Sequence, residues 1–184
     1  MKLLRRIWSQ IWWLRYIFLY RADKVAYLRS LGTKIGNNCY LYNRVTDFGT
    51  EPWLIEIGEN VTIAGGVTLI THDGSSRLFR NSLPGMNKFG NRFGTIQIFD
   101  NCFIGQNALI LPDITIGPNS IVGASSVVTK PVPPETIVVG NPAREYCTLQ
   151  EYIEKYRRKM IKIDANNREE LRNELTTKLW GKKR

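Results

Sequence analysis

The chain has 184 residues, 43% of them hydrophobic and 23% charged, with a formal net charge of +10 and three cysteines. That length holds one compact domain with extensions. An odd cysteine count without paired spacing excludes a disulfide framework and a cysteine zinc motif, and fits a reducing compartment.

The charge is unevenly placed. Residues 1–34 carry eight Lys/Arg against one acid, residues 35–147 seven against nine, and residues 148–184 eleven against six. A near-neutral middle argues against a nucleic-acid-binding core. The basic flanks suit either an anionic surface or plain solvation.

Residues 2–20 read as a helix. Leu3, Leu4, Ile7, Ile11, Leu14 and Phe18 share one face, and Lys2, Arg5, Arg6, Ser9 and Gln10 the other. The apolar run is too short to cross a bilayer, and Arg15 interrupts any signal-peptide core. Trp8, Trp12, Trp13, Tyr16 and Tyr20 beside arginines suit a helix lying in a membrane interface. A helix that caps the rest of the fold or packs on a neighbouring subunit fits equally. Residues 1–31 form this basic aromatic segment.

From residue 32 a six-residue beat begins. It runs through Ile35 and Leu41, then Ile57, Ile63 and Leu69, and then Ile98, Ile104, Ile110, Ile116, Val122 and Val128. Four residues after each of Ile98 to Val122 stands a small or branched residue: Cys102, Ala108, Ile114, Ser120 and Ser126. A period of six means a coiled parallel β-structure, three hexads to a coil of about 18 residues. The beat residue points inward, the following glycine turns the chain, and the fourth residue on is small because the interior narrows. Asn37-Asn38, Glu59-Asn60, Asp100-Asn101 and Pro118-Asn119 supply turn chemistry. Cys39 and Cys102 are expected inward and inert.

The beat breaks twice. Residues 47–52, containing Asp47 and Glu51, interrupt it between Leu41 and Ile57 and are expected to bulge out. The second break follows Leu69 at His72, the only histidine. Residues 74–95 leave the beat with Arg77, Arg80, Lys88, Arg92, Phe79, Phe89 and Phe93 and no acid. An insertion in a repeat protein often marks its binding face. Arginine suits phosphate or carboxylate, and phenylalanine suits a sugar ring. Beyond residue 147 helical spacing returns over 148–162 (Leu149, Tyr152, Ile153, Tyr156, Met160) and more weakly over 167–180. These helices are expected to cover the last coil.

Four runs carry a family resemblance: Thr71-His72-Asp73-Gly74, Ile104-Gly105-Gln106-Asn107-Ala108, the segment from Val122-Gly123 to Thr129-Lys130, and Gly140-Asn141-Pro142-Ala143-Arg144. Over about residues 30–147 the chain resembles the hexapeptide-repeat acetyltransferases, most closely the branch acting on sugars and surface polysaccharides. The resemblance implies a left-handed parallel β-helix over 32–147 with flanking N- and C-terminal α-helices, the insertion 74–95 and a C-terminal extension 148–184. The general rule for parallel crossovers would have given the right hand.

The resemblance further implies an enzyme moving an acetyl group from acetyl-CoA to a sugar hydroxyl of a surface glycan or its precursor. His72 is then the general base of a direct attack, with no metal. Asp73, beside it and in a slot of the beat, ranks ahead of Glu51 as the group that orients the imidazole. Gln106, Ala124, Thr129 and Lys130 match family positions lining the cofactor cleft, the small Gly105, Ala124 and Ser125 permit close approach of the cofactor's arm, and Lys130 and Arg144 are candidates for its phosphates. Asn43, Asp47, Arg77 and Arg80 are candidates for the acceptor. A homotrimer with clefts between subunits is implied. N-acetylation of an amino-sugar nucleotide is the alternative. A catalytic zinc would need about three histidines, and the chain has one. The expected location is the cytoplasm, at the inner face of the membrane if residues 1–20 engage it.

Overall fold

The computed structural model describes residues 23–181. The helix expected over 2–20 lies outside the described residues. The chain forms two compact units, Met1–Gln150 and Glu151–Arg184.

The first unit is a three-faced parallel coil. One face stacks β1 (Lys34–Ile35), β3 (Ile55–Ile57), β8 (Ile96–Ile98) and β11 (Ile114–Ile116). The second stacks β2 (Tyr40–Leu41), β4 (Thr62–Ile63), β9 (Phe103–Ile104), β12 (Ile121–Val122) and β14 (Thr136–Val139). The third stacks β5 (Thr68–Leu69), β10 (Leu109–Ile110) and β13 (Val127–Val128). Ile96 pairs with Ile114, Phe103 with Ile121 and Leu109 with Val127, an offset of 18 residues on every face. Lys34 pairs with Glu56, 22 on, so the first break inserts four residues into a coil. Ile57 pairs with Ile98, 41 on, so the second inserts 23.

The hexad residues fill the interior. Ile57, Ile63, Leu69, Ile98, Ile104, Ile110, Ile116, Val122 and Val128 are all buried. Each such side chain contributes about 1.5–3 kcal/mol. The small residues four positions on are buried too, from Val61 and Val67 to Ala108 and Ser126. Asn38, Asn60, Asn101 and Asn119 take the left-handed conformation, φ 56°, 54°, 57° and 57°, that these turns require. They stack: Asn60 Nδ2 donates to Asn101 Oδ1 at 2.9 Å, and Asn101 Nδ2 to Asn119 Oδ1 at 3.1 Å.

Helix α1 (Lys24–Ser30) covers the starting edge. Asp23 caps it by accepting from the Ala26 N–H. At the strand ends of the first coil, backbone N–H groups donate forward to the carbonyls of the next, as Gly36 does to Ile57 and Tyr42 to Ile63. Among the described residues, the Ile35 and Leu41 carbonyls of the first coil have no earlier coil to donate to them. Arg29 donates to the Ile35 carbonyl at 2.7 Å and Lys24 Nζ to that of Leu41 at 2.6 Å, while Leu28 inserts into the core. Two cations and a leucine thus blunt an edge that would otherwise pair with another chain.

At the far end Ile121 pairs with Ile137, only 16 residues on. The buried serines of the beat absorb this shortfall. Ser120 Oγ donates to the Pro133 carbonyl and accepts from the Thr136 N–H, and Ser126 Oγ accepts from the Gly140 N–H. β15 (Arg144–Thr148) then turns back antiparallel to β14.

The second unit carries α4 (Arg168–Trp180), capped by Asn167 through the Glu169 and Glu170 N–H groups. The helix before it, α3 (Leu149–Tyr156), is shorter than the spacing over 148–162 predicts. It stops as the basic run Arg157-Arg158-Lys159 begins, where cations favour a helix C-terminus. Among the described residues no helix is long and apolar enough to cross a membrane.

Candidate active site

The two breaks of the beat meet beside the third face. The first folds into two 3₁₀ turns, Val45–Phe48 and Pro52–Leu54. Phe48 is fully buried and takes the place of a beat residue there. Gly49 follows at φ 69° and ψ −168°, a conformation only glycine holds without strain. A Cβ on it would stand 2.9 Å from Thr71 Oγ1 and 3.1 Å from the Leu69 carbonyl. The bare residue lets the bulge lie against the strand end and delivers Glu51 to His72.

His72 leaves β5 through Ile70 and Thr71 and starts β6 (His72–Asp73), which pairs antiparallel with β7 (Arg92–Phe93). His72 Nδ1 lies 2.9 Å from Glu51 Oε2. The Thr71 hydroxyl donates to the same oxygen at 2.7 Å, and the Thr50 hydroxyl donates to Oε1 at 2.6 Å. Burial around Glu51 raises its proton affinity, but the bonds from Thr50, Thr71 and His72 together outweigh it and hold the carboxyl below its ordinary pKa. Toward an ionised carboxylate Nδ1 must carry the proton, so Nε2 keeps the basic lone pair. The His72 side chain is 35% exposed. It borders a groove of about 510 Å³ lined by Thr46, Gly49, Thr50 and residues 68–72. The Phe93 ring lies 5.5 Å from the imidazole, tilted by 43°.

Asp73 does not orient His72. It is exposed, and its carboxylate accepts from the Ser75 N–H at 2.8 Å, a bond that lowers its pKa. Successive strand residues point to opposite sides, so on β6 the neighbour of the histidine points away from it. Sequence adjacency ranked Asp73 first; the fold brings Glu51 from 21 residues upstream.

The acceptor candidates scatter. Asn43 is 1% exposed; its Nδ2 donates to the Val67 carbonyl, and its Oδ1 has no hydrogen-bond partner among the described residues. Asp47 is buried, its carboxylate taken by the Arg44 backbone N–H and guanidinium. Arg77 and Arg80 sit on the short helix α2 (Arg77–Arg80). Arg80 donates to the Phe89 carbonyl, and Phe79 packs edge-on against Phe89 at 5.5 Å. Neither arginine bonds to the His72–Glu51 pair.

The cofactor candidates occupy two edges. Gly105, Gln106, Ala124 and Ser125 lie on the turns between the second and third faces, where Ser125 N–H donates to the Gln106 carbonyl at 2.8 Å. Thr129 and Lys130 follow β13 on the edge that also carries His72. β13 lies two coils above β5, which is about 10 Å at ordinary strand spacing. The missing side chain of Gly105 serves stacking, since a Cβ there would stand 2.5 Å from Ala124 N. Arg144 is exposed on β15 and donates to the Ala143 carbonyl. One chain therefore does not gather the two sets into one cleft. Cys102 is buried, which pushes its thiol pKa up and removes it as a nucleophile, while Cys39 is only half-buried. Among the described residues no group of His, Cys, Asp or Glu is placed to hold a metal.

Sequence reasoning missed Thr50, Thr71 and the choice of Phe93 among the loop phenylalanines. The first two stand directly before Glu51 and His72, a signal visible only once those two are known to meet.

The family profile described as bacterial transferase hexapeptide (six repeats) matches residues 95–130. Protein CapG of Staphylococcus aureus is 46% identical over 126 residues, covering 68% of this chain and 71% of that protein. The chain belongs to the hexapeptide-repeat acetyltransferases. The galactoside O-acetyltransferase of Escherichia coli is 34% identical over 135 residues, 72% of this chain and 62% of that one. A hexapeptide-repeat acetyltransferase of Vibrio cholerae shares the fold at TM-score 0.58 and 24% identity, over 80% of this chain and 92% of that one. Its complex with acetyl coenzyme A aligns at TM-score 0.56 and 25% identity, over 80% and 88%. The coil is thus the left-handed parallel β-helix of this acetyltransferase family.

Proposed function

We propose that this acetyltransferase moves an acetyl group from acetyl-CoA to a sugar hydroxyl of a surface glycan or its precursor, with His72 as general base. The pairing of His72 Nδ1 with Glu51 Oε2 at 2.9 Å, at the border of an open groove, carries the reading. The acceptor hydroxyl gives its proton to Nε2 as its oxygen attacks the thioester carbonyl. Glu51 stabilises the imidazolium that forms. Collapse of the tetrahedral intermediate breaks the C–S bond, and the imidazolium returns the proton to the departing thiolate.

The name of the Escherichia coli relative supports a sugar hydroxyl as acceptor, and the Vibrio cholerae complex supports acetyl-CoA as donor. Phe93, about half exposed beside His72, would give the sugar ring an apolar surface. The cofactor candidates on two different edges suit a homotrimer whose clefts take one edge from each of two subunits. The basic, aromatic residues 1–20 would hold such a trimer at the anionic inner face of the membrane.

Thiol release from acetyl-CoA tests the reading, with polysaccharide fragments and nucleotide sugars as acceptors. Release with a glycan hydroxyl acceptor, giving an alkali-labile acetyl ester, is expected. Release only with amino-sugar nucleotides, giving an alkali-stable amide, would replace O- by N-acetylation.

A further inference from the structure

Both breaks of the beat are fastened to Thr71. Its hydroxyl donates to Glu51 Oε2 at 2.7 Å, in the first break. Its carbonyl accepts from the Gly94 N–H at 2.9 Å, where the second break returns to the coil. Thr71 is 1% exposed, and Gly49 lies against its side chain. The other hydroxyl on Glu51 is differently placed. Thr50 is exposed, and its Oγ1 also stands 3.4 Å from His72 Nδ1. Thr71 Oγ1 has Glu51 as its one hydrogen-bond partner among the described residues. A buried hydroxyl with a single acceptor is costly to leave unbonded, so it locks the carboxylate oxygen it meets. That is the oxygen facing the imidazole.

We propose that Thr71 is a positioning residue of this site, its buried hydroxyl holding Glu51 Oε2 against His72 Nδ1 so that the imidazole keeps its Nε2 lone pair for the acceptor. The inference rests on the reading of His72 as base and extends it by one residue. The titratable group facing Glu51 is His72; Asp73 and Arg92 flank that histidine on the β6–β7 ladder. Removing the hydroxyl takes away one of the three bonds that favour the ionised carboxylate. Glu51 then binds a proton more readily, a protonated Glu51 no longer selects the Nδ1–H tautomer, and the acid limb of activity moves to higher pH.

The test compares Thr71→Val and Thr71→Ala, which lack the hydroxyl, with Thr71→Ser, which keeps it. The chain has one histidine, so tag-free protein labelled with ¹⁵N-histidine reports a single imidazole. Wild type and Thr71→Ser are expected to show the Nδ1–H tautomer. The hydroxyl-free variants are expected to show a tautomer mixture, a kcat about 10–100-fold lower, as loss of an orienting partner gives, and an unchanged KM for acetyl-CoA. Melting curves identify which hydroxyl-free variant folds. A hydroxyl-free variant with the wild-type spectrum and pH profile overturns the proposal, as does a Thr71→Ser as impaired as Thr71→Val. A His72→Ala enzyme with normal turnover removes the base while leaving the tautomer measurement to judge Thr71 alone.

Discussion

The two interruptions of the coil differ in kind. The first adds four residues to a coil and is held at several points from Asp47 to Glu51. Phe48 is buried, Asp47 is held by Arg44, Gly49 lies against Thr71, and Glu51 accepts three hydrogen bonds. The second adds 23 residues and is fastened at its base, with Leu78 79% exposed and Leu83 and Phe89 about half exposed. A carboxylate that must meet an imidazole within a few tenths of an ångström needs an over-determined backbone. A surface that meets a large acceptor does not. In the function proposed above, the short break holds the carboxylate that meets His72, and the long one is the candidate surface for the acceptor.

The largest expected effect breaks the comparison at its centre. His72→Ala lowers kcat about 10²–10⁴-fold, while titration calorimetry shows acetyl-CoA binding retained. Near-normal turnover would remove the site. Next, Glu51→Gln is set against Asp73→Asn. The first is expected to cost about 10–100-fold in kcat, and the second less than about twofold, since Asp73 is exposed and bonded to Ser75. The reverse order would return the orienting role to Asp73.

The same pair sharpens the pH dependence. The folded protein lowers the Glu51 pKa, so its carboxylate adds stability above the unfolded pKa and loses it as pH falls through the folded value. Thermal melts across that acid range should show a steeper loss in wild type than in Glu51→Gln.

A smaller effect probes the backbone of the short break. Gly49→Ala puts a Cβ 2.9 Å from Thr71 Oγ1 at a positive φ, and is expected to cost about 1 kcal/mol or more by chemical denaturation. Alanine at the exposed Gly85 of the long break also has a positive φ but meets nothing within 4 Å, so it should cost less. The smallest effect belongs to the arginines of the long break. Arg77→Ala should raise the acceptor KM by about two- to fivefold, in the range of exposed charges, with no change in melting temperature or in KM for acetyl-CoA, whereas Arg80→Ala, which also removes the bond to the Phe89 carbonyl, should lower the melting temperature slightly as well.

The regular coils were legible in detail. A six-residue beat allows one assignment of inside and outside, so the core from Ile57 to Val128 and the asparagine turns follow from spacing. The place of the candidate site was legible as the point where the beat fails at the lone histidine, and the structure brings the two breaks together there. Its composition was less so. Asp73 ranked first because sequence adjacency was the available measure of distance, and Glu51 was retained only because its segment also broke the beat. Asp47 looked like a free polar group because nothing in the chain announces that Arg44 will take it, and Asn43 because nothing announces that its Nδ2 will be buried against the Val67 carbonyl.

By itself the sequence determined the architecture: periodic burial of one residue in six admits few other folds, and the two failures of that period mark where chemistry can sit. The tertiary structure decided which side chains share that place. Residues 51 and 72 become neighbours because one coil of the helix lies between them, and the glycine at 49 lets the chain close the remaining distance. Contacts made by a full turn of the coil depend on the number of residues inserted in it and on the path they take. That path is set by Phe48 finding the core and by Thr71 finding Glu51, interactions that exist only after the coil has closed.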